Sequence, residues 1–174
     1  GTIGCGDCLN EVYPAMKLAV GEAVQCPTIL NNGFGDHRVE GIGDKHVPWI
    51  HDVKNTDMVV DVDDNDAMAL LRLFNEPAGK AQLIGAGVDP QLVEQLSLMG
   101  ISGIANVLCC IKLAKYYELT GHDVVCTVLT DSADMYRSRL AELTQQLGEY
   151  DAKAAAYDFA LHLMGLKTDC TAEL

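Results

Sequence analysis

The glycine-rich segment Gly1–Gly6 at the start of the chain has the composition of a phosphate-binding turn. Such a turn holds a phosphate with several converging backbone N–H groups, which requires positive φ angles and close backbone approach, and glycine permits both. Residues 7–19 carry apolar side chains at helical spacing, so the segment would lie at a helix N-terminus, where the macrodipole favours an anion. The pattern therefore predicts a phosphate site, with a plain glycine-rich turn as the alternative.

Residues 31–51 concentrate polar, aromatic and glycine residues in one stretch between two predicted strands. Two interpretations compete for it. In the first, His37, His46 and His51 bind a metal ion with nearby carboxylates, but the glycines and Pro48 prevent a helical H-x-x-x-H face. In the second, the backbone of 41–43 (Gly-Ile-Gly) presses against a flat ligand, where a side chain would clash.

Seven cysteines are scattered through the chain, which is an odd number and no disulfide framework. The Cys5-x-x-Cys8 pair has no second pair at zinc spacing and no preceding strand. We therefore interpret the cysteines as reduced thiols of a cytosolic protein and predict no metal site.

Composition narrows the class of protein and its partners. The chain has 174 residues, 49% of them hydrophobic, which suffices for one globular domain. Its net charge of −13 disfavours a nucleic-acid backbone or an anionic membrane surface as partner. No apolar run reaches the roughly 20 residues of a membrane span, and no signal-peptide pattern opens the chain, so a cytoplasmic protein is expected.

The elements that would position these residues alternate between strand and helix. We predict strands at 17–23, 57–62 and 123–130, the last covered on both faces because its apolar run is nearly continuous. An acidic cap at 63–66 starts a helix that stops near Pro77, and a glycine-containing loop is expected from Gly79 to Pro90. Further helices are predicted from Asp89-Pro90 over Leu96, at 104–119, at about 133–147 and at 151–165. This alternation predicts an α/β fold with a mainly parallel sheet flanked by helices.

Four motifs, in order along the chain, resemble those of the fold-type II pyridoxal-phosphate enzymes, which include cysteine synthase, cystathionine β-synthase, threonine synthase and the tryptophan synthase β subunit. Residues 1–5 (GTIGC) stand where that family has G-T-G-G-T, and 37–43 (HRVEGIG) where it has H-K-I-Q-G-I-G. Residues 100–103 (GISG) resemble G-I-S-S-G, and 128–132 (VLTDS) the strand ending in P-S/D-S-G. More narrowly, 26–28 and 32–51 resemble a bacterial subfamily described only as pyridoxal-phosphate-dependent proteins. The resemblance implies a tryptophan synthase β-like large domain, of which residues 1–174 would be the C-terminal portion.

The resemblance implies roles for the glycine-rich segments. Backbone amides of Gly1, Thr2, Gly4 and Cys5, with the Thr2 hydroxyl, would hold the phosphate of pyridoxal 5'-phosphate. Ile3 and Cys5 replace a glycine and a threonine of the family's loop, which removes one hydroxyl.

The resemblance also implies roles around the cofactor ring. Gly41 and Ile42 would lie beside the ring, and Ser102 would hydrogen-bond the pyridine nitrogen. A neutral hydroxyl there leaves the ring unprotonated, which suits β-elimination and β-replacement on an amino-acid substrate. His37 and Arg38 would meet a substrate carboxylate, with a loop salt bridge as the alternative for Arg38. The alternative for Ser102 is an N-cap of the following helix.

The family's Schiff-base lysine lies upstream of the phosphate loop, and none of the eight lysines of this chain matches it. We therefore assign no catalytic residue within 1–174 and expect a missing N-terminal half or a partner chain to supply the lysine. Homodimerisation is implied by the resemblance. Two alternatives remain: a non-catalytic scaffold or regulatory module of the same fold, and a nucleotide-binding α/β domain. No acidic ribose-binding residue follows a clear strand–loop–helix unit, which disfavours the last.

Overall fold

The computed structural model describes residues 2–174, with the backbone alone for Thr2. One sheet has the strand order β1 (Ala19–Ala23), β2 (Met58–Val62) and β3 (Thr171–Glu173). The α-helices of the described chain are α1 (Thr2–Val12), α2 (Thr28–Asn31), α3 (Asp64–Asn75), α4 (Pro77–Gly85), α5 (Pro90–Gln95), α6 (Ile101–Tyr116), α7 (Arg137–Leu147) and α8 (Ala152–Asp158). Short 3₁₀ turns lie at Val53–Asn55, Leu96–Leu98 and Ala133–Tyr136, and a π-helical turn, Phe159–Leu163, continues α8.

β2 is the central strand, and all five of its residues are buried. It pairs in parallel with β1 over five residues, from Ala19 opposite Met58 to Ala23 opposite Val62. It pairs in antiparallel orientation with β3 over three residues. The α/β fold with a small, mainly parallel sheet flanked by helices is thus confirmed, and β3 is an addition that the sequence did not indicate.

Helix α3 begins and ends where its sequence predicts. The Asp63 side chain accepts a hydrogen bond from the Asn65 amide at 2.7 Å, and Asp64 and Asp66 place negative charge in the first turn. At the other end Glu76 is extended, as the residue before Pro77 must be. The helix packs against α4, α6 and α8, and together they enclose most of the core.

The predicted loop between Gly79 and Pro90 is wrong, because most of it is helix α4. A Cβ on Gly79 would lie 2.1 Å from the Leu73 carbonyl oxygen. The glycine therefore lets α4 pack closely against the end of α3, whereas the sequence analysis took it as a sign of flexible backbone.

The predicted strand at 123–130 is also wrong. These residues belong to no strand or helix among the described residues, and all of them are exposed. Val124 is 85% exposed and Leu129 53%. The segment lies along α6, where Asn106 Nδ2 donates to the Val128 carbonyl at 2.8 Å. Nothing within residues 2–174 supplies the neighbouring strand that the apolar run requires.

The glycine-rich segment at the N-terminus is helical rather than a turn. Helix α1 already starts at Thr2 and ends at Val12, before Pro14, so the helix predicted for 7–19 lies earlier than expected. Gly1 and the Thr2 side chain lie outside the described structure.

Candidate functional site

Ser102 lies in the first turn of α6 and is 8% exposed. Its Oγ is 2.8 Å from Thr130 Oγ1 and 3.3 Å from Asp131 Oδ1. The N-cap of α6 is Gly100, not Ser102, so the N-cap interpretation of this serine is wrong. The hydroxyl instead contacts Thr130, the last residue of the segment 123–130, and Asp131, which follows it.

Asp131 is the centre of the contacts around Ser102. Its Oδ1 accepts from Thr130 Oγ1 at 3.3 Å, and its Oδ2 accepts from the Tyr136 hydroxyl. Its backbone oxygen accepts from the Gly100 amide at 2.9 Å. A Cβ on Gly100 would meet the Asp131 carboxylate, so a side chain at position 100 would displace the carboxylate from its present position.

Tyr136 keeps its phenolic proton in this environment. Burial, the hydrogen bond to Asp131, the charge of Asp131 and that of Glu40 all raise the pKa of Tyr136. The hydroxyl therefore acts as a donor to the carboxylate. Asp131 had no role in the sequence analysis, although it lies in one of the four motifs; its signal was a carboxylate at the end of an apolar run.

Gly41 lies beside Ser102. Gly41 has a φ of 81°, and a Cβ there would lie 3.6 Å from the Ser102 Cβ and 3.9 Å from its Oγ. Ile42 is partly buried and packs on the hydrophobic core. The structure thus brings Gly41 and Ser102 together, and their roles toward a ligand stay predictions.

The side chains of His37 and Arg38 make polar contacts with other residues of this chain. The His37 Nδ1 lies 3.0 Å from the Val39 carbonyl oxygen, and its Nε2 lies 3.2 Å from that of Gly43. The Arg38 Nη2 donates to Asn65 at 2.6 Å, and its Nε is 3.6 Å from Asp64 Oδ2. These contacts stabilise the loop that carries Gly41, and a role toward substrate stays a prediction.

Of the predicted phosphate-binding residues, Gly4 and Cys5 are exposed residues of helix α1. Cys5 is exposed, and a Cβ on Gly4 would have no neighbour within 4 Å outside its own helix. Helix α1 contacts the rest of the chain through Gly6, whose Cβ would lie 2.6 Å from a Leu18 methyl group, and through Asp7, which accepts from Asn55. The phosphate assignment to Gly1, Thr2, Gly4 and Cys5 stays a prediction.

The three histidines of the 31–51 stretch do not come together. His51 is buried and its Nε2 is 2.8 Å from Thr56 Oγ1, whereas His37 faces backbone carbonyls. Within residues 2–174 no three His, Cys, Asp or Glu side chains converge closely enough to hold a metal ion. Over the same residues, none of the helices is both long and apolar enough to cross a membrane.

The chain is similar in sequence to cysteine synthases. It is 27% identical over 139 residues to cysteine synthase B of Campylobacter jejuni, covering 79% of this chain and 40% of that protein. It is 26% identical over 139 residues to cysteine synthase of Staphylococcus aureus, covering 79% and 39%. The chain therefore spans about two fifths of the length of these relatives. No protein-family model matches it.

Solved structures agree with the sequence comparison. A hydrogen sulfide-producing enzyme complexed with an α-aminoacrylate intermediate is 26% identical, with a TM-score of 0.58, covering 78% of this chain and 35% of that one. O-acetylserine sulfhydrylase isoform 3 of Entamoeba histolytica has a TM-score of 0.65 at 20% identity, covering 90% and 41%. The chain shares the mixed α/β fold of these enzymes.

Proposed function

We propose that residues 1–174 are part of a pyridoxal-phosphate-dependent, cysteine synthase-like enzyme that catalyses β-elimination or β-replacement on an amino acid. The observation that carries the proposal is the position of Gly41 beside Ser102, where an added Cβ would touch the serine side chain, in a chain that is similar to cysteine synthases. Two motifs far apart in sequence meet there, as they would around one ring.

The residues present fit the cofactor at two points. The absence of a side chain on Gly41 leaves space beside Ser102, which a Cβ would fill. The N-terminus of the 11-residue helix α1 carries amides without helical partners, suited to a phosphate. Bound pyridoxal phosphate would supply an electron sink for the carbon bonds of an amino acid.

The chain's own residues would bind and orient. Gly41 and Ile42 would flank the ring, and Ser102 would hydrogen-bond its nitrogen. The first-turn amides of α1 would hold the phosphate, and His37 and Arg38 would lie towards the substrate carboxylate. No proton-transfer residue is assigned within this chain.

The covalently bound lysine would come from outside this chain. Lys112 is the buried lysine here, 3% exposed, but its Nζ donates to the carbonyl oxygens of Asp61 at 2.6 Å and Asp169 at 2.9 Å. Its amino group is thus held by hydrogen bonds at the edge of the sheet and is not free to react with an aldehyde. We therefore propose that an N-terminal half, or a partner chain, completes the enzyme and that the complete protein is a homodimer.

The seven cysteines support a reducing compartment. All seven are free thiols, and burial raises the pKa of Cys109 to about 12, which keeps it protonated and unreactive. We accordingly propose a cytoplasmic protein.

Borohydride reduction of the natively purified protein, followed by peptide mapping, tests the proposal. Reduction should fix the cofactor to a lysine on a peptide outside residues 1–174. A label on no copurifying chain would contradict the enzymatic function and leave the non-catalytic scaffold in its place. A label on Lys112 would contradict the proposed division of the site between two segments.

A further inference from the structure

Cys5 and Cys8 lie on one exposed face of helix α1. They belong to the same helical turn, and both are free, exposed cysteines. Gly6, between them, is buried, and a Cβ there would lie 2.6 Å from a Leu18 methyl group. Because each residue advances about 100° around a helix, the two cysteine side chains point about 60° apart, and neither faces Leu18. The packing of α1 on Leu18 therefore directs both thiols towards solvent together.

The two side chains are close enough to bond if their helical turn tightens. Residues three apart in an α-helix have Cβ atoms about 5–6 Å apart, whereas a disulfide requires about 3.5–4.5 Å. Closing the bond thus draws Cys5 and Cys8 together by about 1–2 Å. Gly4 and Gly6 flank Cys5, and glycine lets the backbone adjust. A bond closed against the helix geometry is strained, and strained, exposed disulfides are readily reduced again.

The tightening acts on the end of α1 that the proposed function gives to the cofactor phosphate. The first amides of a helix have no helical partners, and those of Gly4 and Cys5 are among the amides proposed to hold the phosphate. Drawing Cys5 towards Cys8 moves the Cys5 amide together with its side chain. Because hydrogen bonds weaken steeply as their angle falls, the moved amide holds a phosphate less well.

We propose that Cys5 and Cys8 are a redox modification site, which closes reversibly to a disulfide and thereby weakens binding of the cofactor phosphate. The bond itself is independent of the proposed function, whereas its effect on the cofactor rests on that function.

The oxidant is a low-molecular-weight disulfide such as oxidised glutathione. One protein thiolate attacks it, forms a mixed disulfide and releases one glutathione thiol; the second protein thiolate then attacks the protein sulfur of the mixed disulfide and releases the other. The two protein thiols are thereby oxidised to one disulfide, and their two protons end on the two glutathione thiols.

The test equilibrates the natively purified protein in buffers of graded reduced-to-oxidised glutathione ratio. After alkylation of the remaining thiols, mass spectrometry should find the peptide with Cys5 and Cys8 alkylated at neither position and lighter by two hydrogens. In parallel, the affinity of the cofactor-free protein for pyridoxal 5'-phosphate, titrated by absorbance, should fall by about tenfold or more. That is the effect of losing one hydrogen bond to a charged group.

Two variants assign the response to this pair. In Cys5→Ser/Cys8→Ser the bond cannot form, so the affinity of this variant, whatever its value, should not respond to the glutathione ratio. Cys170→Ser is the matched control, because it removes another exposed thiol and should keep the response.

The outcomes separate the inference from the proposed function. Absence of the Cys5–Cys8 bond at every ratio would overturn the inference and leave the proposed function untouched. A bond without a change in affinity, or a response that persists in the double variant, would overturn it as well. No cofactor binding by the fully reduced protein would overturn the proposed function and the effect on the phosphate with it, while the mapped peptide still decides whether the bond forms.

Discussion

Gly41 has a positive φ angle and also lies beside the Ser102 side chain. Its φ of 81° disfavours any side chain, and a Cβ would come into van der Waals contact with Ser102. Gly87 has a φ of 93° but no neighbour within 4 Å, so it isolates the backbone effect.

Gly41→Ala should therefore weaken pyridoxal-phosphate binding, whereas Gly87→Ala should not. Both should lose about 1–2 kcal/mol of stability from the left-handed conformation. Cofactor titration of the complete protein by absorbance, alongside urea unfolding, separates the two effects. Equal binding by both variants would place the ring elsewhere.

Ionisation of the Asp61 carboxyl group, in the central strand β2, is unfavourable. Its carboxylate is 1% exposed, and its Oδ1 has no hydrogen-bond partner among the described residues. Burial and the neighbouring Glu22 carboxylate raise the pKa of Asp61 from 3.8 to about 7, and Lys112 only partly opposes them.

Stability should therefore fall as pH rises from 3.8 to about 7, because the native state holds a proton on Asp61 that the unfolded state releases. Asp61→Asn should flatten this fall and be the more stable protein above pH 7. Urea midpoints measured across that range give the comparison. A slope unchanged by the substitution would mean that another group titrates.

At the scale of elements, two glycines of α4 have opposite surroundings. Gly79 faces the Leu73 carbonyl of α3, whereas Gly85, at the end of the same helix, has no neighbour within 4 Å. A methyl group therefore meets backbone at one position and open space at the other.

Gly79→Ala should force α3 and α4 apart and cost about 1–3 kcal/mol, in the range of overpacked cores. Gly85→Ala should be neutral or stabilise by up to about 1 kcal/mol, through helix propensity. Chemical unfolding of both variants provides the measurement. A tolerated Gly79→Ala would show that the helix pair can separate without loss.

At the scale of the whole molecule, the segment 123–130 is the largest departure from the sequence prediction. An apolar extended run suits a strand between two neighbours, yet Val124 and Leu129 are exposed. The relatives are more than twice as long as the part that this chain matches. A segment outside residues 1–174 would have the opportunity to pair with it.

The backbone amides of 124–129 should exchange rapidly in a protein made of residues 1–174 and slowly in the longer protein proposed above. Hydrogen exchange read by mass spectrometry measures both. The β2 peptide is the internal control, since it is buried and paired in residues 2–174 and should be protected in each. Rapid exchange of 124–129 in the longer protein would show that no strand pairs with this segment.

The sequence by itself determined the elements whose signals are local. β1, β2 and the capped helix α3 follow from short apolar runs, Asp63 and Pro77, and four motifs indicated the fold-type II resemblance. The side-chain roles that the resemblance implies remain predictions, because the type of a residue does not by itself identify the ligand that it binds.

Only the tertiary structure decided the features that join distant parts of the chain. A glycine in sequence does not distinguish a loop from a close contact, so Gly79 in a helix and Gly41 against Ser102 became clear only when their neighbours were placed. Likewise, an apolar run predicts a strand but not the presence of a partner for it. The hydrogen bonds among Ser102, Thr130 and Asp131 join α6 to the end of the segment 123–130. Their geometry arises from packing, not from spacing in the sequence.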